Sequence, residues 1–376
     1  MLVTDVTRAR LYPLVIRIRQ GSAACPHWPI SPRTRASRAE PFRAGRRVAA
    51  EMDMVMDMVS EHAAPGLEAQ AREWLQHQPT LPLPGRGHTL ERWRSLAAIA
   101  GRDLCLAKVL EAHYDAQAIL ADLGAPALGE TELAAVWAAE GPAATLAFDP
   151  HTGTVRGDKP WCSGAGLVDV ALVTAQSPQG ACLVRLRTDD PGVHLQPRTW
   201  HASGMAGIPS GTVTFEEVRA EAVGAAGDYL ARPGFWHGGA GIAACWYGAA
   251  VALMAPLQHS ARVATDNQTA ALLGQADMHL NACAALLREL AVAVDGSPSC
   301  SHQTAVIRVR SVLERTCTAL LDLAGRALGP GPMCLDPAHA QRWSDLTVFI
   351  RQSHADRDWA ALGRAVHARQ EAAWTL

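Results

Sequence analysis

The sequence predicts an α+β protein made of an N-terminal helical domain, a middle antiparallel β-barrel or sandwich domain and a C-terminal four-helix bundle. Three observations carry this. Up to about Gly129 the chain is rich in Ala, Leu and charged residues at helical spacing. From about Leu146 to Val218 it breaks into short β-branched runs divided by turn residues. Beyond Tyr229 the apolar period returns to that of long helices. No helix interrupts the β runs, which excludes a Rossmann sheet. The expected spans are a helical domain over 61–139, a β domain over 140–225 and a bundle over 226–376, after a disordered extension over 1–60.

Residues 1–50 hold ten Arg against only Asp5 and Glu40, which superficially looks like an Arg-rich, acid-poor transit peptide. Ser is sparse there and prolines interrupt any amphipathic helix, so we read a disordered extension lying upstream of a natural start near Met52 or Met54. The first helix is expected from Pro65 to about Gln78, with Leu67, Ala71, Trp74 and Leu75 on one side and Pro79 to Pro84 ending it. A long second helix is expected from about Leu90 to Leu123, closed by Gly124-Ala-Pro126. The apolar segment Leu133 to Ala139 follows, and at Glu140-Gly141-Pro142 the period changes.

Leu146 to Phe148, the turn Asp149 to Gly153 and Thr154 to Arg156 read as one hairpin. Val168 to Ala175 and Ala181 to Leu186 read as a second, and Val193 to Leu195 and Gly211 to Val218 as further strands. The bundle helices are expected over Gly238–Ala264, Gln268–Val294, Gln303–Leu328 and Pro337–Arg369, with breaks at Asp295-Gly-Ser-Pro298 and Gly329-Pro-Gly-Pro332. Gly238 to Leu257 carries no charge and is long enough for a bilayer. Its Ala, Gly and Pro256 make a weak span, and a helix apolar all round suits the centre of a bundle, so no membrane span is expected.

A formal net charge of -2 provides no basic patch for nucleic acid or a membrane surface, and a small-molecule ligand is expected instead. Only Lys108 and Lys159 are lysine among 34 basic residues, which suggests a GC-rich, bacterial coding sequence. Nine cysteines, an odd number with no C-x-x-C pair, indicate neither a zinc site nor a disulfide framework and point to a reducing cytosol. His354, Asp356 and Asp358 do not share a helical face, so no metal is expected there. Gly239-x-Gly241-x-x-Ala244 lacks a preceding strand and reads as close helix packing.

Chemistry concentrates in Gly157 to Gly166. Its Trp161-Cys162-Ser163 followed by Gly-Ala-Gly can present an indole, a hydroxyl and backbone amides together, which suits a flat, polar-edged ring such as a flavin. Cys162 reads as a small buried hydrophobe in preference to a reactive thiol.

Gly157-x-Lys159-x-Trp161-x-Ser163, with Gly204-Met205 through Gly211-Thr-Val-Thr-Phe215-Glu-Glu-Val218, resembles the paired signatures of the acyl-CoA dehydrogenase superfamily, a likeness covering roughly residues 65 to 368. The resemblance implies FAD, with Trp161 against the isoalloxazine, Ser163 at its polar edge and Cys162 between them. The family's R-x-x-F-G arginine, which reaches the FAD pyrophosphate of a neighbouring subunit, has its nearest counterpart in Arg262, close to Gln268 but without the Phe-Gly. The family's T-E-P-x-x-G-S-D loop is shortened to Glu140-Gly141-Pro142. Aligned on Ser344-Asp345, Ser353 falls where the family has its catalytic glutamate and His354 beside it; the alternative glutamate position falls near Gly238, next to His237. His354 is then the ordinary base at the expected place, with Asp358 one turn along the same helix to orient it.

The implied activity is oxidation of the Cα–Cβ bond of an acyl thioester, CoA- or carrier-protein-linked, or of another small molecule, with hydride transfer to flavin and onward to an electron acceptor. A homodimer or homotetramer in the cytoplasm is implied with it. The alternatives are a flavin-dependent monooxygenase on the same fold, or a flavin-free binding or scaffold homologue.

Overall fold

A computed structural model describes residues 66–141, 145–196, 200–368 and 374. The extension expected over 1–60, and Pro142 of the shortened loop, lie outside the described residues. Helix α1 (Leu67–His77) is held to the β region by Arg72, whose guanidinium makes two bonds to Asp169 at 3.0 and 3.1 Å.

The long helix expected from Leu90 to Leu123 is two helices, α2 (Thr89–Arg102) and α3 (Leu104–Asp122). Asp103 divides them: its backbone is extended and its side chain accepts from Leu106 N–H at 2.7 Å, capping α3. The apolar period alone hides such a break, because both helices bury Leu, Ile and Ala faces.

Leu133 to Ala139, placed with the helical domain on sequence, contributes strand β1 (Ala134–Trp137), which pairs in parallel with β4 (Val170–Ser177). The pairing is set by long-range anchors. Asp169 accepts from Leu133 N–H at 2.8 Å, and His113 on α3 accepts from Ala134 N–H at 3.2 Å. Strands β2 (Ala147–Asp149), β3 (Thr154–Lys159), β5 (Gly180–Arg187), β6 (Val193–Leu195) and β7 (Val213–Ala222) complete the sheet. Pairings β4–β2, β2–β3, β3–β7, β7–β5 and β5–β4 close five strands into a barrel, mostly antiparallel but with β2–β4 parallel. Gly157 on β3 has φ +120°, and a Cβ there would run into the Thr145 carbonyl, so this crossing requires glycine.

After a short helix α4 (Asp228–Ala231), the bundle comprises α5 (Gly234–Gln258), α6 (Asn267–Gly296), α7 (Gln303–Leu328), a short α8 (Gly331–Leu335), α9 (Pro337–Phe349) and α10 (Asp356–His367). Helix α5 is long and apolar enough to cross a membrane, yet 67% of its apolar window is buried inside the protein. Its Gly241 lies against Leu96 and its Gly248 against the backbone of Ala97, so the glycine spacing serves close packing on α2. The helix expected over Pro337–Arg369 is broken: a 3₁₀ turn (Ile350–Gln352) is followed by extended Ser353 and by Ala355 at φ +42°. At the break, Arg310 on α7 donates from Nη2 to the Gln352 carbonyl at 3.2 Å, supplying a partner to a carbonyl at a helix end. One continuous apolar core runs from Ala71 through the barrel to Ile350.

Candidate functional site

Lys159, at the end of β3, turns into the barrel and is 1% exposed. Its ammonium donates to Glu140 Oε1 at 2.9 Å, to the Thr174 carbonyl at 3.0 Å and to Thr174 Oγ1 at 2.6 Å, tying β3 to β4 and to the shortened loop. The next turn therefore starts from a fixed base. Trp161 has φ +60°, a left-handed conformation rare for a bulky side chain, and its indole is 57% exposed. Bonds just after it hold the turn: Cys162 N–H to the Gly211 carbonyl at 2.9 Å and Gly164 N–H to the Pro209 carbonyl at 2.7 Å. Cys162 is fully buried and its thiol reaches the Lys159 carbonyl at 3.2 Å. Burial pushes that thiol up to about 12, so it stays protonated at neutral pH and works as packing.

Trp161 meets the edge of Trp200, with centroids 6.4 Å apart and planes at 90°. Ser163 Oγ accepts from Ser210 Oγ at 3.0 Å, and its carbonyl accepts from Trp137 Nε1 at 2.9 Å. Exposed Leu195 stands beside Gly166. The turn thus presents an indole platform with the half-buried Ser163 hydroxyl following it, backed by buried Ser210. Trp200, Leu195 and Ser210 were missed by sequence reasoning; they sit on separate segments and no spacing links them to the signature.

Of the residues expected to hold a phosphate, Arg262 lies on the 3₁₀ turn Ala261–Ala264 and pairs with Asp266 at 3.4 Å. Asp266 also caps α6, accepting from the backbone N–H of Gln268 and Thr269 at 3.2 and 3.1 Å. These bonds stay within residues 262–269, and none reaches residues 161–163.

Ser353 and His354 lie in the α9–α10 break and not on a helical face. Ser353 Oγ accepts from Ala355 N–H at 3.3 Å. His354 remains within 3.4 Å of Asp358 Oδ1 because α10 begins immediately after it, and its side chain is 57% exposed. Partial burial, joined by Arg357, holds its pKa below the ordinary value against the pull of Asp358.

The two places aligned with a catalytic glutamate are connected by Arg310, a buried guanidinium that sequence reasoning passed over. It donates to the Gly239 carbonyl and to that of Gln352, and lies 4.9 Å from the Trp246 ring centroid. Burial lowers its pKa, with Asp358 and Glu111 opposing. A side chain at residue 238 would begin 2.6 Å from Asp115 Oδ1, a buried oxygen with no hydrogen-bond partner among the described residues. The Asp115 carboxylate thus stands in the space a glutamate at that position would enter.

No protein-family profile matches the chain, and no curated protein matches it by sequence. Solved structures do match. Dibenzothiophene monooxygenase TdsC from Paenibacillus sp. A11-2, with FMN and indole bound, superposes at TM-score 0.65 with 20% identity over 74% of this chain and 83% of that one. The chain has the acyl-CoA dehydrogenase fold. Butyryl-CoA dehydrogenase from Megasphaera elsdenii matches it at TM-score 0.65 and 16% identity over 74% of this chain and 82% of that one. PigA with FAD and proline matches at 0.64 and 13%, over 74% and 82%. In this acyl-CoA dehydrogenase fold the Trp161 turn leaves the barrel, and the α9–α10 break interrupts the helical C-terminal region.

Proposed function

We propose that this chain is a flavin-dependent oxidoreductase of small molecules, and that its reaction is dehydrogenation of an acyl thioester. The observation that carries the reading is the Trp161 indole, held exposed at positive φ beside Ser163 and Trp200. A flavin is apolar on its face and hydrogen-bonding along one edge, and the exposed indole and the half-buried Ser163 hydroxyl fit both demands. The shared fold of TdsC, butyryl-CoA dehydrogenase and PigA supports it. FAD is the flavin we assign, as in PigA, and FMN, as in TdsC, is the comparison, because the pairing of Arg262 with Asp266 leaves a pyrophosphate anchor less free.

When bound, the flavin supplies the hydride acceptor. The rest falls to side chains of this chain. His354 accepts the substrate α-proton in its neutral form, and Asp358 at 3.4 Å orients the imidazole. The Ser353 hydroxyl, bonded to Ala355 N–H and to no base among the described residues, is too weakly basic for that task. The reduced enzyme then needs an electron acceptor, and we assign a homodimer or homotetramer in a reducing cytoplasm. A second reading, a monooxygenase, is favoured by one observation: His354 is exposed, whereas α-proton abstraction calls for a closed, dry site.

Titration with FAD and with FMN, followed by anaerobic mixing with acyl-CoAs of graded chain length, tests both. Bleaching of bound flavin by a thioester is the expected result. Bound flavin that no thioester reduces, but whose reduced form oxygenates a substrate in air, selects the monooxygenase. Failure of either flavin to bind would leave a scaffold protein and overturn the proposal.

A further inference from the structure

The indole platform does not stand on the barrel alone. Residues 200–211 run from it to the bundle, where a buried carboxylate meets them at the far end. Asp345 on α9 is 2% exposed. Its Oδ1 accepts from the backbone N–H of Met205 and from Gln341 Nε2 at 2.7 Å, while the Cys105 thiol approaches Oδ2 at 3.8 Å. Met205 sits at φ +56°, a conformation an unbranched side chain enters only when its surroundings impose it. Gly204 lies so close to the Ser344 carbonyl that any Cβ would collide with it. The segment is thereby pressed onto α9 at Gly204 and bonded to it through the Met205 N–H.

The other face of Met205 points back to the platform. Its carbonyl accepts from Trp200 Nε1 at 3.1 Å, and Trp200 presents its edge to Trp161. Three residues further on, Ile208 offers its carbonyl to Ser210 Oγ at 3.1 Å, and that hydroxyl contacts Ser163 Oγ at 3.0 Å. Trp200 is thus bonded directly to the peptide that Asp345 holds, whereas Ser210 lies between Pro209 and Gly211, whose carbonyls also bond the Trp161 turn itself.

We propose that Asp345 is a positioning residue for the indole pair, setting the orientation of Trp200 against Trp161 through the Met205 peptide without touching any ligand itself. The proposal draws on the flavin reading for one of its two readouts only. The mechanism needs an acceptor of fixed direction at Oδ1 and not a negative charge. An asparagine, whose Oδ1 still accepts from Met205 N–H and Gln341, replaces it; an alanine does not.

Two perpendicular indoles at this separation couple optically. The near-ultraviolet circular dichroism of wild type minus that of Trp200→Phe isolates their joint signal, and needs no flavin. The test measures that signal and the FAD dissociation constant in wild type, Asp345→Ala and Asp345→Asn. Asp345→Ala is expected to lose the pair signal and bind FAD at least tenfold more weakly, while Asp345→Asn keeps both. A folded Asp345→Ala that retains the pair signal, or loses it with FAD affinity unchanged, overturns the proposal. A general structural role would lower the unfolding midpoint in both variants and leave the pair signal of the folded fraction intact, which also overturns it. If Asp345→Ala does not accumulate folded, the same spectra are taken on Gln341→Met, which removes the donor that orients the carboxylate. Loss of at least half the pair signal then supports positioning, and a full signal sinks it. Should wild type bind no FAD while the pair signal still depends on Asp345, the flavin reading fails and the positioning role stands.

Discussion

Trp161 combines two features that oppose one another in an ordinary surface residue: a backbone conformation that disfavours a large side chain, and an apolar ring turned to solvent. Removing the ring is therefore expected to cost ligand more than fold. Trp161→Ala should weaken FAD retention roughly tenfold or more, from loss of a contact worth about 1 to 3 kcal/mol, with little change in unfolding temperature; an unchanged titration would make Trp161 structural. For His354 the pKa is lowered, so the neutral, proton-accepting form persists to more acid pH than an ordinary histidine allows. Flavin reduction by acyl-CoA should accordingly rise through an inflection below about 6.5. His354→Ala should slow it by roughly two to four orders of magnitude, and rapid-mixing traces with unaltered rates would dismiss the histidine. Asp345 behaves oppositely. Burial raises its carboxyl above the usual range, against the hydrogen bonds from Met205 and Gln341 and with Asp103 adding to the rise. The folded state then holds that proton more tightly than the unfolded chain, so the ionised form costs stability at neutral pH, and this cost fades as pH falls through the raised folded pKa. Asp345→Asn should unfold at an equal or higher temperature than wild type at pH 7, with the difference shrinking towards pH 4. A markedly lower midpoint at pH 7 would contradict that sign.

Among the helices, α5 shows how close packing and polar ties share one element. Gly248 admits the Ala97 carbonyl where a side chain would stand, and Gly101 approaches the Gly248 carbonyl in turn. Gly248→Ala should force α2 and α5 apart at about 1 to 3 kcal/mol, read as a lower urea midpoint with unchanged slope. Further up, Arg310 bonds the Gly239 carbonyl of α5 and the Gln352 carbonyl at the helix break. Arg310→Met keeps volume but leaves both carbonyls without that donor, at about 1 to 3 kcal/mol each. Trypsin should then cut faster at Arg351 or Arg357, beside the break; wild-type cleavage rates would show that the break is held by other contacts. Helices with strong stop signals were legible in the sequence, Gln303–Leu328 to the residue. The breaks at Asp103 and Ser353 were not, because one depends on a side-chain cap within an unbroken apolar period and the other finds its carbonyl partner in a guanidinium from a helix some forty residues away.

Among the described residues the larger apolar core passes from α1 through the barrel to the α9–α10 break, so a ligand bound at the platform stabilises more than the platform. A flavin that binds only the folded protein should raise the unfolding free energy by about 2.7 kcal/mol at a hundredfold excess over its dissociation constant. Thermal melts with and without FAD check this, and coincident melts would favour a flavin-free role. The near-balanced charge places no electrostatic demand for a polyanionic partner on the molecule.

The mixture of helix and sheet, the helical C-terminal region and several of the β runs could be read from the chain. Each is encoded locally: apolar period, turn residues and helix stops act over a few positions. Folding alone settled that Leu133 to Ala139 is a parallel strand, since its alanines suit a helix equally and only Asp169, His113 and β4 select the extended form. Folding likewise put Trp200 against Trp161, tied Met205 to Asp345 and set Arg310 between Gly239 and Gln352. These are contacts between residues 39 to 140 positions apart, and hydrogen-bond direction and burial at such separations leave no period in a sequence to find.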